Sequence, residues 1–249
     1  MQVRLLGDQA LLLELGKESS PQLHDQVCAL CSLLEQKRPP GVLEWVPSYT
    51  GVAVMYDPER TSTPALVERL ERLVALCEPG EEASSYRIVE IPVAYGGEWG
   101  PDLNNVAKFH QLSEAEVIRL HSAPTYRVYM MGFVPGFAYL GGMSPRLATP
   151  RLATPRSRIE AGSVGIAGTQ TGIYPLATPG GWRIIGRTPL PLFHPHKQPP
   201  TLLRMGDRLR FKPCGPEVFT ELKEACQTGR IPVEVTWVKG GETPDEGEN

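Results

Sequence analysis

The sequence has no apolar run near the roughly 18 residues that a membrane-spanning helix requires, so no membrane association is expected. Cysteine is scarce and unpatterned: five residues, an odd number, widely scattered. Cys28 and Cys31 form a CxxC inside an apolar helical pattern, with no second CxxC or histidine pair at zinc spacing. Helix packing or surface thiols are therefore expected, with no metal site and a reducing, cytoplasmic compartment. Also missing are the GxxxxGK(S/T) phosphate loop, GxGxxG, the GxSxG elbow and HExxH. The opening MQVRLLGDQALLLEL carries one arginine, and its apolar stretch breaks at Gly7, Asp8 and Gln9. It reads as two strands around a turn, not as a signal peptide.

The most informative scarcity is of acid. Between Val117 and Gly206 the only carboxylate is Glu160, against nine arginines and Lys197. That window is about +9 in a chain of net charge −3. It overlaps Gly132 to Gly186, which holds eleven of the 25 glycines. Glycine permits tight turns and close backbone approach, so this is where the backbone is expected to meet an anion. The basic excess is local and its arginines are not clustered with aromatics, which argues against nucleic-acid binding. Hydrophobic content of 41 % and charged content of 21 % fit a soluble globular protein.

Along the chain, residues 1–78 read as a small α+β unit of order β-β-α-β-β-α. Ser20-Pro21 starts a helix carrying Leu23, Val27, Leu30 and Leu34 on one face, and Pro39-Pro40-Gly41 stops it. Thr63-Pro64 starts a second, with Val67, Leu70, Val74 and Cys77 as its buried face. Residues 79–85, PGEEASS, read as a linker. Residues 86–239 then form a mainly β domain. Asp102 is expected to cap a helix through Phe109, and Ser113 with Glu116 to form a capping box ahead of Val117, Leu120 and His121. Strands are expected at Tyr126–Met130, Ser163–Ile166, Trp182–Ile185, Pro189–Phe193 and Arg208–Phe211, suggesting a barrel or sandwich. RLATP occurs twice, at 146–150 and 151–155, and reads as an extended arm. A last helix (Pro216 to Gln227) and strand (Val233 to Val238) precede an acidic tail, 240–249, expected to be disordered.

Several groups suit a small anionic ligand. Phe133 and Phe137 either pack a barrel corner or wall a ligand. Gln170, Thr171 and Tyr174 bring an amide, a hydroxyl and a phenol together, suited to fixing a carboxylate or carbonyl. Gly180-Gly181 offers successive amides, either as an anion nest or as a plain hairpin end beside Trp182. Arg183 and Arg187 flank it with guanidinium forks. Glu160 reads better as a salt-bridge partner of Arg156 or Arg158 than as a base. Ser163 reads as a turn or strand-end serine, and His194 and His196 as solvated loop residues.

Four stretches resemble the family of 5-oxoprolinase B subunits, also called KipI-like or allophanate hydrolase subunit 1-like. They are Gly132-Phe-Val-Pro-Gly-Phe-Ala-Tyr-Leu140, Ala161-Gly-Ser-Val-Gly-Ile-Ala-Gly168, Gln170-Thr-Gly-Ile-Tyr-Pro175 and Pro179-Gly-Gly-Trp182 with Ile185-Gly-Arg-Thr188. The resemblance runs from about Val3 to Phe211. It implies an α+β N-terminal domain followed by a cyclophilin-like β-barrel. It implies two partners, the C and A subunits of 5-oxoprolinase, which together with the B subunit open 5-oxo-L-proline to L-glutamate using ATP, with Mg2+. A kinase-inhibiting KipI-type module and a urea carboxylase or allophanate hydrolase component are the alternatives it allows. With the residue chemistry, it nominates Phe133, Pro135, Gly136, Phe137, Gly165, Gln170, Thr171, Tyr174, Pro179, Gly180, Gly181 and Arg183 as substrate-binding. Gln170, Tyr174 and Arg187 are the catalytic candidates. The chain departs from the family pattern at Glu160 and His194, which argues against either as catalyst.

Overall fold

The computed structural model describes residues 1–18, 20–77 and 85–239. The expected acidic tail, and the expected linker apart from Ser85, lie outside the described residues. The described residues divide into two compact units, one of residues up to Tyr86 with Val238 and Lys239, and one of Arg87–Trp237.

The first unit runs β1 (Gln2–Leu5), β2 (Ala10–Glu14), α1 (Pro21–Lys37), β3 (Val42–Pro47), β4 (Gly51–Tyr56), α2 (Thr63–Ala75). Its sheet is antiparallel in the order β1-β2-β4-β3. Alternation puts Leu11 and Leu13 of β2 and Val52, Val54 and Tyr56 of β4 in the core. The α1 face is the one its spacing predicts, and Ser20 Oγ accepts the Leu23 amide at 3.1 Å. The buried stripe of α2 is Leu66, Leu70 and Leu73, not the expected Val67 and Val74. Both stripes contain Leu70, and the bulkier leucines occupy the core. Burial pushes the Cys31 thiol up to about 12, aided by Cys28 and Cys77, so it stays protonated at neutral pH.

The second unit is mainly β. Its elements are β5 (Ser85–Tyr95, in this unit from Arg87), α3 (Leu103–Phe109), α4 (Glu114–Ser122), β6 (Tyr126–Met131), β7 (Ala138–Gly141), β8 (Arg156–Ile159) and β9 (Ser163–Ala167). They continue with β10 (Gln170–Ile173), β11 (Thr178–Gly180), β12 (Arg183–Arg187), β13 (Arg208–Pro213), α5 (Pro216–Gln227) and β14 (Glu234–Lys239, in this unit to Trp237). Seven strands pair in the order β12-β9-β10-β7-β6-β13-β5, and β12 pairs back onto β5 through Gly186↔Tyr95 and Arg187↔Ala94. The sheet thus closes into a seven-stranded barrel, which removes the open edges an unpaired sheet would expose. Strands β8 and β11 form a separate two-stranded ribbon.

Several expectations need correction. Pro189–Phe193 is not a strand; it makes only the isolated bridge Phe193↔Thr201, because Pro189 and Pro191 have no amide to give a ladder. Strands β7 and β10 fall on glycine-rich stretches without a clear alternation and were not expected, and β8 lies just past the expected arm. Half of the capping box forms: Ser113 Oγ accepts the Glu116 amide at 3.1 Å, but the Glu116 carboxylate turns to Arg119 at 2.8 Å.

A chain of polar contacts runs among the buried residues of the barrel. His121, fully buried on α4, stacks on Phe211 with ring centroids 4.5 Å apart. Thr171 Oγ1 donates to the Gly165 carbonyl at 3.0 Å, so it accepts from His121 Nε2 at 2.8 Å. His121 Nδ1 then accepts from the Tyr95 hydroxyl at 2.8 Å. Burial holds the ring neutral, lowering its pKa from 6.5 to about 3. The sign follows: the unfolded chain takes up the proton first, so stability is complete above about pH 6.5 and is lost progressively toward pH 3. Denaturant titrations stepped through this range are expected to show a slope up to one proton steeper than in His121→Gln. Equal slopes would mean that the ring is not held neutral.

Candidate functional site

Period-two alternation gives the barrel wall two different faces. On β10, Thr171 and Ile173 point inward, while Gln170 and Gly172 point outward and Tyr174 follows on the outer side. The inward set, with Leu140, Val164, Ile166 and Ile185, belongs to the barrel core. The outward set joins a second apolar cluster made of Phe137, Ile159, Ala167, Tyr174, Trp182 and Ile184, with Val134 and Tyr139 against it. The β8–β11 ribbon contributes Ile159 to it. Gly172 lets this cluster sit on the wall, since a Cβ there would meet Phe137 Cζ and Trp182 Cζ3, each at 3.2 Å.

A pocket of about 210 Å3 opens on this outer face. Phe133, Phe137, Tyr139, Tyr174 and Trp182 supply aromatic walls, and Pro179, Gly180 and Gly181 a backbone edge. Gln170 and Arg151 are the remaining lining residues. Among the described residues no carboxylate lines it. The rings meet edge to face: Phe137 lies 5.7 Å from Trp182 and 5.1 Å from Tyr139. Gly180 comes so close to Tyr174 that a Cβ would lie 2.5 Å from the hydroxyl. Burial raises the Tyr174 pKa, opposed by the Trp182 backbone amide and the charges of Arg151 and Arg156. The phenol is therefore a neutral donor at physiological pH. Phe133, 66 % exposed, sits at φ +68°, a strained conformation for a bulky residue and one that concentrates at functional positions.

The structure brings Phe133, Phe137, Gln170, Tyr174, Pro179, Gly180 and Gly181 together and leaves the other nominees outside the pocket lining. Thr171 points into the barrel, bound to His121 and Gly165. Gly165 is packed beneath Trp182 and Ile184. Gly136, at φ +85°, packs on Phe193 and Pro175, and Pro135 is exposed at the same turn. Arg183 donates to the Pro150 carbonyl at 3.2 Å. Arg187, a catalytic candidate, pairs along β12 with Ala94 and Ser163, and its Nε is buried without a hydrogen-bond partner. Glu160 is bound by Arg158 at 2.6 Å. His194 also departs from expectation: its Nε2 is shielded from solvent and has no partner.

Sequence reasoning missed two participants. Arg151 belongs to the second RLATP copy, whose identical twin draws no distinction between them. Asp102 was expected as a helix cap, and its side chain caps nothing. It accepts both guanidinium nitrogens of Arg156, at 2.8 and 2.9 Å, and the Ile184 amide at 2.7 Å. It thereby ties β8 to β12 beside the pocket. A larger hollow of about 420 Å3 lies in the first unit, but its Arg4 is paired with Glu14 at 2.7 Å and, among the described residues, no aromatic side chain lines it. The smaller pocket has the better chemistry for an anion with an apolar body.

Residues 1–203 match the family model "Carboxyltransferase domain, subdomain C and D". The chain is 48 % identical to the 5-oxoprolinase B subunit of Bacillus subtilis over 221 residues, covering 84 % of this chain and 91 % of the relative. It is 46 % identical to the protein of that name from Escherichia coli O157:H7, over 84 % of this chain and 94 % of the relative. The crystal structure of TTHA0988 superposes with a TM-score of 0.74 at 40 % identity, covering 86 % of this chain and 41 % of that one. This chain thus spans about two-fifths of that solved protein. The chain belongs to the family of 5-oxoprolinase B subunits.

Proposed function

We propose that this chain is the B subunit of an ATP-dependent 5-oxoprolinase, which converts 5-oxo-L-proline to L-glutamate together with the C and A subunits. The observation that carries this reading is the high identity to proteins of that name, sustained over almost their whole length. The pocket chemistry supports it. A five-membered lactam acid has an apolar ring edge, an amide carbonyl and a carboxylate. The aromatic walls, the Gln170 amide, the Tyr174 hydroxyl and the Gly180-Gly181 backbone are complementary to those parts.

An amide carbonyl is a poor electrophile, and phosphorylating its oxygen creates the leaving group that makes water attack feasible. ATP with Mg2+ supplies that activation to the assembled complex. The pocket does not fit the nucleotide: it holds about 210 Å3 and one guanidinium, where a triphosphate calls for a cradle of amides and cations. We therefore put the nucleotide elsewhere in the assembly and assign no step through it to these residues. Their roles are to bind, orient and donate to the substrate. We read the barrel as cyclophilin-like, residues 1–78 and 86–239 as the working domains, and the cytoplasm as the location. We further propose that the chain is inactive alone, because the C subunit completes the site.

Reconstitution tests this reading. ATP-dependent glutamate release from 5-oxo-L-proline is expected with all three subunits and not when this chain is left out. Undiminished release on omission would refute it. Capture of a sensor histidine kinase, with no release in any combination, would favour the regulator.

A further inference from the structure

The duplicated RLATP peptide puts one sequence in two environments. In the first copy Leu147 and Thr149 are buried, Thr149 bridges to Gly168, and its Oγ1 lies 3.0 Å from His110 Nε2. Arg146, which opens that copy, lies 3.7 Å from Glu116. The second copy is pinned at the pocket by the Leu152 amide, which donates to the Gly181 carbonyl at 2.7 Å. Arg151, which opens this copy, lines the pocket.

The neighbouring arginines are committed. Arg156 is held bidentate by Asp102, Arg158 by Glu160, and Arg183 by the Pro150 carbonyl. Among the described residues no carboxylate pairs with Arg151. It is the one cation of a lining that contains no acid. Its charge favours the ionised form of the Tyr174 phenol, against the larger effect of burial. A guanidinium, aromatic walls and neutral donors line one pocket, so charge, apolar surface and hydrogen bonds are all offered to a single ligand.

We propose that Arg151 is the carboxylate-selecting residue of this pocket, ion-pairing with the acid group of a small cyclic amide acid. The second RLATP copy thus turns a structural arginine position into a ligand-binding one. The identity of the cyclic amide rests on the function proposed above; the selection of a carboxylate by Arg151 does not.

The test is binding to the full chain, followed by NMR or calorimetry, with three probes: 5-oxo-L-proline, 2-pyrrolidinone (the lactam without the acid) and cyclopentanecarboxylate (the acid without the lactam). Arg151→Gln is expected to weaken both acids about 10- to 100-fold, the worth of one charged hydrogen-bonded contact, and to leave 2-pyrrolidinone unchanged. Arg151→Lys is expected to restore part of the loss. Arg146→Gln, at the twin position, is expected to change none of the three. Arg151-dependent binding of cyclopentanecarboxylate with no preference for the lactam acid would uphold the selector and count against the oxoprolinase reading. Acid binding unchanged in Arg151→Gln, equal loss of all three probes, or no carboxylate binding to the wild-type chain would overturn the proposal.

Discussion

Asp102→Ala is expected to destabilise the protein by about 3 kcal/mol, the lower end of the cost of breaking a buried ion pair. The Asp102 side chain is 4 % exposed and that of Arg156 33 %, so water recovers part of the arginine but none of the aspartate's role. The loss has two parts. Arg156 loses its bidentate partner, and the buried Ile184 amide loses its acceptor at 2.7 Å. Asp102→Asn keeps an acceptor for Ile184 and is expected to cost less than Asp102→Ala. Because the carboxylate ties β8 to β12, amide exchange is expected to accelerate first in the β8–β11 ribbon. Denaturant unfolding measures the global effect and hydrogen exchange the local one. A change below about 1 kcal/mol in Asp102→Ala would place this pair with ordinary surface bridges.

What was legible in the sequence follows from how much each signal depends on local rules. The Ser20-Pro21 start of α1 and its leucine-rich face were readable because capping and 3.6-residue periodicity are local. The basic, acid-poor window was readable as composition, and seven of the nominated residues meet at one pocket inside it. Two kinds of information were not local. Which face of a strand looks inward depends on barrel closure, so Thr171 was nominated beside Gln170 although successive side chains point to opposite sides of the wall. Partner choice is also tertiary. Asp102 finds Arg156 fifty-four positions away, and nothing near either residue signals it. Gly165, nominated from the family motif, and Arg187, nominated from its guanidinium, lie outside this pocket's lining. Arg151 was hidden for the opposite reason: its neighbourhood is repeated letter for letter, and only the fold separates the copies.

In the proposed function the outer-face pocket, not the barrel interior, is where this chain meets the substrate. Gly180 gives the sharpest handle on it. A Cβ at this position would stand 2.5 Å from the Tyr174 hydroxyl and 2.8 Å from Ile159 Cδ1, closer than either can tolerate. The Tyr174 ring is held edge-on by Phe137 and Trp182, at 6.1 and 6.0 Å, so relief requires the phenol to shift within the pocket. Gly180 needs no left-handed backbone, so Gly180→Ala perturbs the pocket by its methyl group and not by backbone strain. A displacement of about 1 Å in a positioning group costs about 100-fold in rate. The decisive measurement is therefore kcat/KM for 5-oxo-L-proline in the reconstituted three-subunit enzyme carrying Gly180→Ala, with unfolding of the variant followed in parallel. The expected result is a loss of about 100-fold in a chain that still folds and assembles; wild-type turnover in that complex would contradict a substrate site at this pocket.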